Sequence, residues 1–251
     1  MVKGVSIKFD SYGTTIPKLL DLIKFDNLIR SQESIVLKPS LGEAGVNATN
    51  IAFVESILRY CLSNRNPGTE IFIAEGCDGQ DTMEIFEEIG YKKLAEKYGI
   101  GLIDLNKSEA EEVSDGEFIH FSEINYPKIL LNSFVISLPS VRKDDSIEFS
   151  GALSNMLGAF PSKYYSGFFS SRKNKLDKVP IKHRIHDILK VKMPEFAIAD
   201  ASEYGKILAG QPIEIDKQAT GLVGIDWKSV SYLRFVDESF NSLFDDNKEG
   251  I

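Results

Sequence analysis

Short, mostly apolar runs recur along the chain and are separated by segments with helical periodicity. Several of these runs lack strict alternation of apolar and polar residues, which is typical of strands that are buried on both faces of a sheet. We therefore predict strands at residues 5–9, 34–37, 71–74, 101–105, 118–121, 134–138 and 196–199.

The segments between these runs predict helices. Residues 50–62 place apolar side chains on one stripe, with Thr49 or Asn50 available as the N-cap. Residues 80–97 show the same pattern in two pieces, and Gly90 is expected to end the first. The alternation of strand and helix predicts an α/β fold in three layers, with a mostly parallel central sheet and helices on both faces.

Composition and charge narrow the possible roles. The chain has 251 residues, of which 43% are hydrophobic and 26% charged, and this suits one α/β domain over residues 1–251. The net charge of -8 argues against general nucleic-acid binding, because a phosphate backbone is held by clustered Lys and Arg. A secretory leader and a bilayer-spanning apolar run are both missing, so we expect a cytoplasmic protein without a membrane partner.

The two cysteines, Cys61 and Cys77, lie far apart and outside any C-x-x-C arrangement. They cannot supply the ligands of a structural zinc site or an iron–sulfur cluster, so no cofactor is evident. A divalent cation stays possible, because Glu75 and Asp78 follow a predicted strand and offer oxygen ligands. The alternative for this turn is a simple helix N-cap at Asp78 or Asp81.

Residues 139–158 form the most informative segment, because a predicted strand here ends in Pro and opens into a polar stretch punctuated by glycine. Such segments place ligand-binding groups at the carboxyl edge of a parallel sheet. Within it, Ser150 is a natural N-cap for an apolar helical stripe, and Asn155 lies on a different face from that stripe.

The same segment resembles the signature of the archaeal and bacterial family described as domain of unknown function 362, which reads P-K-x-K-T-H, then Thr, then K-N-x-x-G. Residues 35–40, 71–76, 90–106 and 196–200 resemble further family stretches in the same order. Where relatives usually carry Lys, Lys, His, Thr, Lys and Asn, this chain has Ser140, Arg142, Asp144, Ser150, Ser154 and Asn155. The resemblance implies a shared fold and site, in a member that is either re-purposed or inactive.

Polar residues at several predicted strand ends are expected to converge on one crevice. Lys38 and Arg142 would hold an anionic group, such as a phosphate, of a small molecule, while Glu75, Asp144 and Asp200 would hold a metal or a polar group of the substrate. The predicted ligand-binding residues are Lys38, Ser40, Glu75, Arg142, Asp144, Ser150, Asn155 and Asp200. We assign no catalytic residue, because no catalytic motif identifies a reaction type.

A basic segment at residues 162–192 interrupts this acidic chain. It is interpreted as a lid, an anion-facing surface or a solvated excursion, and a solvated face is the commonest meaning of a charge run. Its aromatic residues also suit a protein partner, which would give the chain a scaffold role in place of ligand binding. His183 and His186 fall on one helical face within it, where surface or capping roles are favoured over zinc binding.

Overall fold

The computed structural model describes residues 3–42 and 45–245. Its strands are β1 Gly4–Lys8, β2 Ser34–Pro39, β3 Glu70–Glu75, β4 Gly101–Asp104, β5 Ala110–Val113, β6 Ile124–Pro127, β7 Phe134–Leu138, β8 Arg142–Asp144, β9 Glu148–Ser150, β10 Phe196–Ala201 and β11 Lys206–Gly210. Its α-helices are α1 Tyr12–Leu22, α2 Asp26–Ile29, α3 Ile51–Asn64, α4 Thr82–Ile89, α5 Tyr91–Tyr98, α6 Lys128–Leu131, α7 Ser162–Tyr165, α8 Ile181–Val191, α9 Pro212–Leu222 and α10 Ser231–Asp245. Short 3₁₀-helices lie at Ser154–Ala159, Asn174–Lys178, Ser202–Tyr204 and Trp227–Ser229.

Seven strands form the central sheet in the order β1-β11-β10-β7-β2-β3-β4. The pairs from β10 through β4 are parallel, whereas β11 pairs antiparallel with both β10 and β1. The prediction of a mostly parallel sheet is therefore confirmed. Since β2, β3, β7 and β10 run in the same direction, their carboxyl ends lie at one edge of the sheet.

The side chains of alternate strand residues pack into two separate hydrophobic cores, one on each face of the sheet. On β2, Ile35 and Leu37 pack with buried residues of α1 to α5, whereas Val36 belongs to the core that includes α8, α9 and α10. This alternation follows from the two-residue repeat of a strand, whose neighbouring side chains point to opposite faces. The predicted three-layer arrangement is confirmed.

Helix boundaries encoded by local chemistry agree with the sequence patterns. Asn50 is the N-cap of α3, and its Oδ1 accepts a hydrogen bond from the Ala52 N–H at 2.9 Å. Gly90 separates α4 from α5 in a left-handed conformation with φ of 99°, which residues with a Cβ rarely adopt. Both signals are local, which is why the sequence alone predicted them.

The predicted strand at residues 118–121 is wrong. The backbone N–H groups of Ile119, His120 and Phe121 instead donate to the carboxylate of Asp187 on α8, at 2.8 to 3.1 Å. His186 is also buried, with its Nδ1 at 2.7 Å from Asp187 Oδ1 and its Nε2 at 2.9 Å from Ser239 Oγ. A distant carboxylate thus replaces the ladder hydrogen bonds, and the surface role predicted for this histidine is wrong.

The basic segment at residues 162–192 is only partly a surface feature. Ile185, Ile188 and Leu189 of α8 are buried, and this helix packs against α10. The exposed part lies before α8, around Phe168 and Phe169. In the described part of the chain, every helix is too short or too polar to cross a membrane.

Candidate functional site

Two charged side chains meet where β2 and β3 end. Lys38 precedes the last residue of β2, and Glu75 is the last residue of its parallel neighbour β3. Lys38 lies two residues after Val36 and so points to the same face of the sheet, toward the 3₁₀-helix Ser154–Ala159. The side chain of Lys38 is fully buried at this edge.

Lys38 is held by both a carboxylate and a backbone carbonyl. Its Nζ lies 2.5 Å from Glu75 Oε2 and 2.5 Å from the Asn155 carbonyl oxygen. Burial lowers the pKa of the Lys38 ammonium, and the charge and hydrogen bond of Glu75 oppose that change. The short ion pair favours the charged form, because a charge this deep needs a partner of opposite sign.

Asn155 and Gly158 close the site from the 3₁₀-helix. Asn155 Nδ2 donates to the Lys38 carbonyl oxygen at 2.9 Å and to Ser137 Oγ at 3.0 Å, which ties this helix to β2 and β7. Gly158 approaches so closely that a Cβ built on it would overlap the Glu75 carboxylate. Glycine is therefore required here by close packing.

Arg142 is oriented by the β8–β9 hairpin. Its Nη1 donates to Ser150 Oγ at 3.0 Å, and its Nη2 donates to Asp144 Oδ2 at 3.1 Å. Burial opposes the ionisation of Asp144, but hydrogen bonds from Ser146 and Ile147 and the charge of Arg142 outweigh it, so the pKa of Asp144 is lowered. Ser150 ends β9 and does not cap a helix, so its predicted N-cap role is wrong.

A cavity of about 250 Å³ opens at this edge of the sheet. Five of the eight predicted residues line it, while Lys38 lies buried behind Glu75 and Asp144 supports Arg142 from the side. The cavity wall includes Ser40, Glu75, Arg142, Ser150 and Asn155 from the prediction, together with Asp78, Gly158, Lys173, Asp177 and Arg184.

Asp200 does not converge with the other predicted residues. It lies two residues after Ile198, whose side chain belongs to the core on the α1–α5 face, opposite to the face toward which Lys38 points. Its carboxylate accepts hydrogen bonds from the Tyr12 hydroxyl at 2.8 Å and the Ser202 N–H at 3.0 Å. Burial and the neighbouring Asp200 raise the pKa of Tyr12 to about 12. The predicted convergence of Asp200 on the crevice is therefore wrong.

Lys173 is one of two positively charged cavity residues that were missing from the predicted set. Its backbone N–H donates to Asp78 Oδ1 at 2.7 Å, and its Nζ donates to the carbonyl oxygens of Gly76 at 2.9 Å and Gly158 at 3.3 Å. Only 6% of the residue is exposed. Burial lowers the pKa of Lys173 to about 8, although Glu75 and Asp78 oppose that change.

Arg184 on α8 is the other positively charged cavity residue that was not predicted. Its Nε is buried without a hydrogen-bond partner, and within the described residues its guanidinium forms no ion pair. The charges of Asp177 and Asp78 act on it only at longer range, and burial lowers its pKa. An arginine stays protonated in proteins nonetheless, so Arg184 carries a positive charge into the cavity wall.

Two of the carboxylates that line the cavity, Glu75 and Asp78, already have partners. Glu75 binds Lys38 and accepts from the Gly76 N–H at 2.7 Å, and Asp78 accepts from Lys173. Within residues 3–42 and 45–245, no group of three or more His, Cys, Asp or Glu side chains is arranged to hold a metal ion.

Comparison with known proteins places the chain in a family. The model of the family "Domain of unknown function (DUF362)" matches residues 35–221, which is well over half of the chain. The chain therefore belongs to this family. No curated protein matches it. The matched region contains the whole site described above, from Lys38 to Arg184.

Proposed function

We propose that this member of the DUF362 family binds a small anionic molecule, with a carboxylate or phosphate group, in the cavity at the carboxyl edge of the sheet. The observation that carries the proposal is Arg184, whose buried Nε has no partner while its side chain lines the cavity. An unsatisfied buried donor costs about 1–3 kcal/mol, and more when it belongs to a charged group. An oxygen of the ligand would remove that cost.

The other cations of the cavity support the same ligand class. Arg142 lines the cavity beside Ser150, and Lys173 contributes a third positive group. Planar guanidinium groups match the geometry of carboxylates and phosphates through paired hydrogen bonds. The cavity volume is just below the range of roughly 300–1,000 Å³ that is typical of pockets for larger ligands, so a compact metabolite is expected.

The test is thermal stability measured with inorganic phosphate, nucleotides, phosphorylated metabolites, small carboxylates and divalent cations. A ligand present at 100 times its Kd stabilises the folded state by about 2.7 kcal/mol. For a chain of this size each kcal/mol raises the melting temperature by roughly 2–4 °C, so a shift of roughly 5–11 °C is expected.

Variants locate the binding. Arg184→Gln and Arg142→Ala should each reduce the shift, because each removes a guanidinium from the cavity. Arg30→Gln is the matched control, since Arg30 precedes β2 at the opposite edge and forms only a partly exposed ion pair with Asp26. A shift that persists unchanged in Arg184→Gln, or no shift with any anion, would contradict the proposal.

A second candidate function is binding of an acidic protein through the basic segment at residues 162–192. Phe168 and Phe169 are 96% and 97% exposed, and their ring centroids lie 5.1 Å apart. Lys163, Arg172 and Lys175 are exposed nearby in sequence, so an acidic surface would complement the apolar pair.

If the basic segment binds an acidic protein, binding should require the rings of both Phe168 and Phe169. We expect Phe168→Ser/Phe169→Ser to leave the melting temperature unchanged, because the rings are already exposed to solvent, and to abolish capture of the partner. High salt should weaken the capture by screening the basic residues. Equal capture by the parent and the double variant would exclude this surface and leave ligand binding as the function.

A further inference from the structure

The two buried lysines of the site differ in the groups that they contact. Lys38 is paired with Glu75 and also donates to the Asn155 carbonyl oxygen. Lys173 instead donates to two backbone carbonyls, those of Gly76 and Gly158. An ammonium group has three N–H bonds to satisfy, whereas a neutral amine has two and keeps a lone pair. The two carbonyls can satisfy both N–H bonds of the neutral form of Lys173, and unlike Lys38 its Nζ has no carboxylate within hydrogen-bond distance among the described residues.

Lys173 and Lys38 also differ in their position relative to the cavity and in the charges around them. Lys173 lines the cavity, whereas Lys38 lies behind Glu75 and away from it. Burial lowers the pKa of Lys173 to about 8. The negative charges of Glu75 and Asp78 and the Cys77 thiol oppose this change, and the positive charge of Lys38 adds to it. A lysine that is desolvated and close to a second cation is the usual form of an amine nucleophile.

We propose that Lys173 forms an imine with a small carbonyl compound whose carboxylate or phosphate group is held by Arg142 and Arg184. The inference rests on the proposed function, because the anionic group must be bound for the carbonyl to reach Lys173. It adds a substrate class, namely oxo acids and aldehyde phosphates. The cavity volume of about 250 Å³ suits such compact molecules.

The covalent step balances without a further reactant. The lone pair of the neutral Lys173 Nζ forms a bond to the carbonyl carbon, and the carbonyl π electrons move to the oxygen. The two amine protons then leave with that oxygen as water, and the nitrogen–carbon double bond remains. Neither an oxidant nor a reductant is needed.

The experiment traps the imine on the full chain. The protein is incubated with glyoxylate, pyruvate or glycolaldehyde phosphate, reduced with sodium cyanoborohydride, and analysed by peptide mass spectrometry. At pH 7 the neutral fraction of an amine with a pKa of about 8 is about 300 times that of an amine at the ordinary lysine value of 10.5. A less basic amine is also a weaker nucleophile, which offsets part of this increase. We therefore expect Lys173 to be labelled about tenfold faster than an exposed lysine such as Lys163.

Three variants test the assignment. Lys173→Met should abolish the adduct, and Lys173→Arg should do the same while keeping a positive charge in case the methionine variant fails to fold. Lys163→Met is the control, because Lys163 is exposed on the same basic segment and its loss should leave labelling of Lys173 unchanged. Labelling should rise with pH and reach half of its maximum near pH 8.

Two outcomes separate the inference from the proposed function. Labelling that follows exposure, with Lys163 modified as fast as Lys173, would overturn the imine. If the parent protein gives no adduct at Lys173 while phosphate or oxalate, which cannot form an imine, still raises its melting temperature, anion binding stands and only the imine is refuted. If neither anion shifts the parent protein, the proposed function itself is wrong.

Discussion

Removing either partner of the ion pair between Lys38 and Glu75 should destabilise the protein strongly, because the other charge would be left buried without a partner. The Lys38 side chain is fully buried, and that of Glu75 is 4% exposed. Glu75→Gln removes the negative charge while keeping nearly the same shape, so the Lys38 ammonium is left buried without a counter-charge. Breaking one partner of a buried pair costs about 3–5 kcal/mol. For a chain of this size that corresponds to a drop of roughly 6–20 °C in the melting temperature.

The assay is urea unfolding followed by circular dichroism, applied as a double-mutant cycle. Lys38→Met and Glu75→Leu are measured singly and together. The loss of unfolding free energy in the double variant should be about 2–3 kcal/mol smaller than the sum of the losses in the single variants, because the double variant removes both charges at once. The matched control is Glu55→Gln, which breaks the more exposed pair with Lys97 and should cost about 0–1 kcal/mol. Single effects that add to within about 0.5 kcal/mol would refute the coupling.

Two further predictions concern packing and pH. Gly158→Ala should lower the free energy of unfolding in urea by about 1–3 kcal/mol, because its Cβ would overlap the Glu75 carboxylate. Gly116→Ala is the control and should be near neutral, because the space around Gly116 is open. Equal stability of the two variants would contradict the packing argument. Burial raises the pKa of Asp216 from 3.8 to about 7. Between pH 4 and 7 the folded state therefore binds more protons than the unfolded state, so the free energy of unfolding should fall as the pH rises, by at most about 4 kcal/mol. Asp216→Asn should remove that dependence, and a parent and variant with parallel pH profiles would count against it.

The positive charge of the site only partly follows the pattern that the resemblance implies. Of the three positions where the signature has lysine, Arg142 keeps a positive charge, whereas Ser140 and Ser154 do not. Lys173 and Arg184 supply positive groups to the same cavity from the basic segment. The cavity wall therefore carries three positive side chains, those of Arg142, Lys173 and Arg184.

The sequence predicted the site residues unevenly, for physical reasons. A polar residue after an apolar run indicates the end of a strand, and this local signal located Lys38, Glu75 and Arg142 at the site. The basic bias of residues 162–192 already included Lys173 and Arg184, but a charge run does not say which of its members are buried. Contacts with Gly76 and Gly158 single out Lys173, and they join positions that are distant in the sequence.

Local patterns by themselves determined the α/β class, the places of most central strands and the caps at Asn50 and Gly90, because each depends on neighbouring residues and on backbone geometry. Tertiary structure alone decided the face toward which each strand-end side chain points. Asp200 lies one residue before the end of β10, close to the predicted strand end, yet the pleat of the sheet turns it toward Tyr12 on the face opposite to Lys38. It also decided that Asp187 would bind the backbone at residues 119–121 and prevent a strand there, since the pairing of a buried carboxylate depends on how distant segments pack.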